Sequence, residues 1–89
     1  MKASEINALR QAETIEQVAA MVDCRAHEYN REEMAEHVKI HLKSQYAQRV
    51  LNGLPHLAAL NHAKANVINA NGGSVNQQAE FWRAADAAL

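Results

Sequence analysis

The sequence contains few residues that cross-link or interrupt a chain. It has one cysteine, Cys24, one proline, Pro55, and three glycines. A single cysteine excludes an intrachain disulfide, so nothing indicates a secreted disulfide scaffold. Aromatic residues make up only 4% of the chain although hydrophobic residues make up 48%. The core must therefore be thin and aliphatic, and we expect a domain this small to gain stability by forming a dimer.

Acidic residues are absent from one long part of the chain. No Asp or Glu lies between His37 and Ala79, whereas eight of the ten acids precede residue 37. The net charge is nevertheless only −1, which argues against a general nucleic-acid coat protein. Part of the asymmetry is ordinary helix electrostatics, because acids early in a helix and bases late in it complement the helix dipole. What remains is a mildly basic surface, which suits a protein partner better than nucleic acid.

Long apolar runs are also missing. No stretch approaches the ~18 apolar residues of a membrane span. The N-terminal segment from Met1 to Glu5 leads into charged sequence without the apolar region of a signal peptide. We therefore expect a cytoplasmic protein that does not enter a membrane.

Apolar residues recur at helical spacing, and strand-like alternation is absent. The pattern predicts an all-α fold: one domain over residues 1–89, built as a compact bundle of four to five short helices and centred on the third. The helices are predicted at about 4–12, 15–29, 31–52, 55–71 and 75–88. Ser4 is expected to cap the first. Three later pairs have capping-box spacing: Thr14 with Gln17, Asn30 with Glu33, and Ser74 with Gln77. Gly53 is expected to end the third helix, and Pro55 suits the first turn of the fourth.

The same periodicity predicts which side chains are buried. In the second helix these are Ile15, Val18, Val22, Ala26 and Tyr29. The third helix has two apolar arcs, Met34, Ala35, Val38, Leu42 and Tyr46 on one and Ile40, Ala47 and Leu51 on the other. We expect neighbours to contact both of them. In the fourth helix the inward residues are Leu57, Leu60, Val67 and Ile68, and in the fifth they are Val75, Ala79, Trp82 and Leu89.

Residues 14–24 resemble the first helix and turn of a helix-turn-helix DNA-binding motif. An alanine stands where two helices must approach closely, Val18 and Val22 face inward, and Asp23 and Cys24 occupy the turn. The resemblance implies a recognition helix from Arg25 to about Met34. Bases would then be contacted by Arg25, His27, Asn30 and Arg31. Against it, three carboxylates would face the DNA phosphates, whose neutralisation supplies much of the binding energy: Glu28, Glu32 and Glu33.

A metal site is a weaker hypothesis. Cys24 and His27 are three residues apart, and His37 and His41 are four apart on one helix face. Together they could ligate zinc. The alternative is a polar helix face that Ser44 continues, and the sequence predicts no bound metal or cofactor.

Two further features concern binding partners. Lys64 projects into the apolar arc of the fourth helix, where it either directs its amine outward or meets an acid of the N-terminal helices or of a partner. Phe81 and Trp82 are adjacent, so at most one can lie at the centre of a buried face, and Trp is enriched at binding hot spots.

No catalytic motif is present, so the sequence predicts a non-enzymatic interaction protein of accessory or inhibitor type. It would bind another protein or itself, and the candidate partner-binding residues are Lys64, Phe81, Trp82, Ile40 and Leu51. The alternative is a DNA-binding protein that uses residues 14–34.

Overall fold

Five helices make up the computed structural model, which describes residues 1–25 and 27–89. They are α1 (Ala3–Gln11), α2 (Ile15–Ala19), α3 (Arg31–Leu51), α4 (His56–Ala70) and α5 (Val75–Ala87). No β-strand occurs over these described ranges. The predicted all-α bundle of short helices is thus confirmed, and the predicted bounds agree to within one residue except at the end of α2.

The break between α1 and α2 lies where the apolar pattern changes face. α1 ends at Gln11, and Thr14 begins α2 through a reciprocal capping box. The Thr14 hydroxyl accepts the Gln17 N–H at 3.1 Å, and the Gln17 side chain accepts the N–H groups of Glu13 and Thr14 at 2.7 and 3.2 Å. Because these bonds satisfy the free N–H groups of a new helix start, the chain turns here and both apolar faces point inward.

The predicted second helix over 15–29 is wrong, since α2 ends at Ala19. Cys24 has a φ of 50°, a left-handed conformation that an α-helix does not contain. The side chain of Asn71 holds this segment, accepting the N–H groups of Asp23 and Cys24 and donating to the Met21 carbonyl. Tyr29, predicted to be buried, is fully exposed. Ala26, predicted to be inward, lies outside the described residues.

The core is centred on α4 and not, as predicted, on α3. Eight of the fifteen α4 residues are buried but only two of the twenty-one in α3, Ala35 and Leu42. The physical reason is the alanine content of α4, because small side chains let helices approach it closely from several sides. Its buried residues are Ala58, Ala59, Leu60, Ala63, Lys64, Ala65, Val67 and Ile68. Leu57, predicted inward, is exposed at the start of the helix.

Glycines follow the C-terminal ends of α3 and α4. Gly53 follows α3 with a φ of 95°, and Gly72 follows α4 with a φ of 78°. In each turn the N–H of the residue after the glycine bonds to a carbonyl five positions earlier, from Leu54 to the Arg49 carbonyl at 3.0 Å and from Gly73 to the Ile68 carbonyl at 2.8 Å. This is the Schellman arrangement, in which a left-handed residue lets the chain reverse while the last carbonyls stay bonded.

The predicted caps have mixed outcomes. Ser74 and Gln77 form the expected box at the start of α5, and Gln77 also donates to the Met1 carbonyl at 2.9 Å. Asn30 makes no side-chain cap bond, and Lys2, not Ser4, is the cap residue of α1. The buried side of α5 consists of Phe81 and Ala85, whereas Val75, Trp82 and Leu89, which were predicted to be buried, are exposed. The face that contains Phe81 packs inward, and the other three residues lie roughly a quarter to a third of a turn away from it.

Candidate functional site

The side of α3 that points away from the core carries large apolar side chains. Ile40 is 65% exposed and Leu51 81% exposed, and both lie on the side of the helix opposite the buried Leu42. Ser44 and Ala47, also exposed, lie between them on the same line, since spacings of four, three and four residues keep one helix face. We call Ile40, Ser44, Ala47 and Leu51 the outer face of α3. The chain itself covers only one of the two apolar arcs that the sequence predicted to be contacted.

Charges along α3 change sign from its first half to its second. Glu32 and Glu33 lie in the first turn, and Arg49 lies in the last. Between them the Lys39 amine lies 3.6 Å from the Glu36 carboxylate, a solvent-accessible contact that is worth ~0.3 kcal/mol. The outer face therefore has carboxylates at one end and no acid at the other.

Lys64 lies inside the bundle and not at its surface. The residue is 5% exposed, and its amine donates to the Arg10 carbonyl at 3.3 Å and lies 6.0 Å from the centre of the Phe81 ring. Arg10 is in the last turn of α1, where carbonyls lack helical partners and a positive charge is favourable. Burial lowers the pKa of Lys64, and the nearby charge of Glu13 opposes that effect. Lys64 thus joins α4 to the end of α1.

The burial of Lys64 predicts a specific pH dependence. An unfolded lysine titrates near 10.5 and the folded one lower, so between the two pKa values the unfolded state binds more protons and stability rises with pH. We expect the free energy of unfolding to rise over this window in the wild type relative to Lys64→Met. Urea titrations at a series of alkaline pH values measure it. Lys43→Met is the control, because Lys43 is exposed. If this variant changed the pH dependence of the free energy of unfolding as much as Lys64→Met does, the assignment of that dependence to Lys64 would be contradicted.

Phe81 and Trp82 lie on different sides of α5, as their adjacency requires. Phe81 is buried beneath Lys64, whereas Trp82 is 37% exposed. The Trp82 ring meets the His62 ring edge to face, with centroids 4.9 Å apart and planes at 73°. Of the five residues predicted to bind a partner, Lys64 and Phe81 are interior, Ile40 and Leu51 lie on the outer face of α3, and Trp82 lies at the α4–α5 surface.

The residues predicted to contact DNA are arranged differently from a recognition helix. Arg25 lies in a turn before α3, which begins only at Arg31. The Arg25 side chain donates to Glu5 and, at 2.6 Å, to Asp23. Arg31 donates to the Asp23 carbonyl at 2.9 Å. The predicted helix from Arg25 to Met34 is therefore wrong over its first part, and these two guanidinium groups bind acceptors of the chain itself. His27 and Asn30 are exposed.

The proposed metal ligands do not form a cluster. Among the described residues no group of three or more His, Cys, Asp or Glu side chains is placed to hold a metal ion. Cys24 is buried beneath the Asn71 side chain, and burial raises the pKa of its thiol. His27, His37 and His41 are exposed.

Three sets of polar side chains could not be recognised from the sequence pattern. The Asn71 bonds to the segment after α2 are described above. His56 lies between Tyr46 and the chain before α2, with its Nδ1 2.6 Å from the Tyr46 hydroxyl and its Nε2 3.1 Å from the Glu13 carbonyl. Because a carbonyl only accepts, Nε2 donates and the tyrosine hydroxyl donates to Nδ1. The third set is Arg49 and His62, each with a buried nitrogen that has no hydrogen-bond partner among the described residues. Such contacts join residues far apart in sequence, so helical periodicity does not report them.

No helix in the described part of the chain is both long and apolar enough to cross a membrane. No family model, curated protein or solved structure matches the chain. The interpretation of function therefore rests on its own residues.

Proposed function

We propose that the chain is a small non-enzymatic interaction protein of accessory or inhibitor type, that its docking surface is the outer face of α3, and that a second copy of the chain occupies it. The observation that carries the proposal is the exposure of Ile40 and Leu51 on one face of a helix of twenty-one residues. Burying a side chain of this size contributes about 1.5–3 kcal/mol relative to leaving it in water.

The spacing on the outer face supports a helix as the occupant. Ile40, Ser44, Ala47 and Leu51 alternate spacings of four and three residues, which is the seam pattern of paired helices. Ser44 and Ala47 are small, so two helix backbones can approach closely at the centre of the seam. In an antiparallel pair, Ile40 of one copy lies opposite Leu51 of the other, and Ser44 lies opposite Ala47. Large side chains then meet at both ends and small ones meet in the middle.

The charges on α3 favour this antiparallel direction. A parallel pair would place Glu33 and Glu36 of one copy beside the same residues of the other, and like charges facing each other are destabilising. An antiparallel pair separates the two acidic ends, and in the register given above each of them extends past Leu51, the last residue of the partner's α3. Lys64 and Phe81 support the fold from within and are not part of the proposed surface.

Charge on the outer face is expected to abolish self-association. In the variant Ile40→Glu with Leu51→Glu, each copy would bring two carboxylates into the seam, and we expect at least a tenfold weaker association. Sedimentation equilibrium over a wide range of protein concentration measures it. Val75→Glu is the matched control, because Val75 is equally exposed but lies on α5.

Two outcomes would contradict the proposal in different ways. A wild type that stays monomeric at all concentrations excludes the second copy as occupant. Equal weakening in the α5 control would show that surface charge, not the outer face, governs association.

A further inference from the structure

Two half-buried side chains on neighbouring helices have polar atoms without partners. They are Arg49 in the last turn of α3 and His62 in the middle of α4. The Nη1 atom of Arg49 and the Nδ1 atom of His62 are both buried, and neither has a hydrogen-bond partner within residues 1–25 and 27–89. Leaving a buried donor unpaired is costly, and more so for a charged group. A folded chain retains such groups mainly where something else satisfies them.

The surroundings of these atoms define a site between three helices. The His62 ring contacts the Trp82 ring of α5, and Trp82 keeps one side in solvent. Burial lowers the pKa of His62, the positive charge of Arg49 adds to that effect, and the exposed Asp86 opposes it. These effects together favour the neutral form of the His62 ring.

In the part of the chain that the structure describes, Arg49 forms no ion pair. The ion pairs formed within the described residues involve other side chains, and none contains Arg49. A guanidinium group presents a planar set of N–H donors that matches the oxygens of carboxylates and phosphates. A neutral imidazole supplies a second donor when its Nδ1 carries the proton.

We propose that Arg49 and His62 form a binding site for a small oxyanion, a carboxylate or a phosphate group, at the junction of α3, α4 and α5. Trp82 forms the apolar edge of the site, and Asp86 limits the affinity by repulsion. A groove of about 290 Å³ lies next to the site between α3 and α4. Gln45 and Asn66, one turn from Arg49 and from His62, line it together with the apolar Val38 and Leu42. The site is separate from the outer face of α3, so the two proposals fail independently.

The chain contains its own reporter for this site, because Trp82 is its only tryptophan. Fluorescence of the full chain is titrated with sodium phosphate and, separately, with sodium acetate at constant ionic strength and pH. A saturable change is expected with at least one of them. The anion that binds more tightly shows whether the site prefers a phosphate or a carboxylate group. Arg49→Gln should weaken binding roughly tenfold, the loss expected for a charge-assisted hydrogen bond. Arg83→Gln removes the same charge from the exposed face of α5 and should leave binding unchanged.

The wild type alone provides a second measurement if Arg49→Gln does not fold. In NMR spectra of the imidazole nitrogens, the anion should shift the His62 signals and raise the pKa of that ring, while the other four histidines change little. Any of three results would overturn the proposal. They are a fluorescence change that is linear in anion concentration, an equal loss of anion binding in the two arginine variants, and uniform NMR shifts of all five histidines.

Discussion

Replacing Asn71 with alanine is expected to lower the free energy of unfolding by about 3 kcal/mol. The residue is 5% exposed, and its side chain makes three hydrogen bonds to backbone atoms roughly fifty positions earlier in the sequence. Alanine would leave the Cys24 N–H buried without an acceptor, and would release a residue held at a φ of 50°. Such a conformation persists only while its surroundings fix it. For a domain of this size the apparent Tm should fall by roughly 15 °C.

Asn69→Ala is the matched control for this variant. Asn69 lies two residues earlier at the same helix end, but its side chain is exposed, so we expect a change within about 0.5 kcal/mol. Hydrogen exchange gives a local test, because Asp23 and Cys24 should lose protection in Asn71→Ala before the α4 amides do. Equal stabilities of the two variants would show that the segment after α2 is held by other contacts.

The helices could be predicted from the sequence because their signals are local. The capping box at Thr14, the glycine after α3 and the box at Ser74 each depend on residues within one turn of the helix end, and all three are present in the structure. The end of α2 could not be predicted in this way. An apolar residue continues the stripe at Val22, and it is the distant side chain of Asn71 that stops the helix.

The position of the core required information that periodicity does not contain. Both α3 and α4 have apolar arcs, and α3 has the larger side chains and greater length. α4 is nevertheless buried on several sides because its alanines permit close neighbours. The sequence therefore identified the arc of Ile40 and Leu51 correctly as a helix face, but it could not show that this face is left uncovered. Arg49 and His62 were missed for a similar reason, since their proximity arises only when α3 packs on α4.

Substitutions of two leucines in α3 test most directly which face of that helix belongs to the core. Leu42→Ala is expected to lower the free energy of unfolding by about 3–4 kcal/mol, the usual cost of a lost side chain plus the cavity that remains. Leu42 is 2% exposed and is the one large side chain of α3 that is fully buried over the described residues. Without it α3 would keep the small buried Ala35 and partly buried side chains such as Met34, Val38 and Tyr46.

Leu51→Ala makes the same chemical change on the outer face and should alter the stability of the monomer by less than about 0.5 kcal/mol. Urea unfolding at low protein concentration measures both variants free of association, since binding to a second copy would otherwise add to apparent stability. At high concentration the wild type should gain stability and Leu51→Ala should gain less, because the removed side chain belongs to the proposed seam. A large loss in the Leu51 variant at low concentration would place that residue in the core of the single chain, and the outer face of α3 would then not be free to bind a partner.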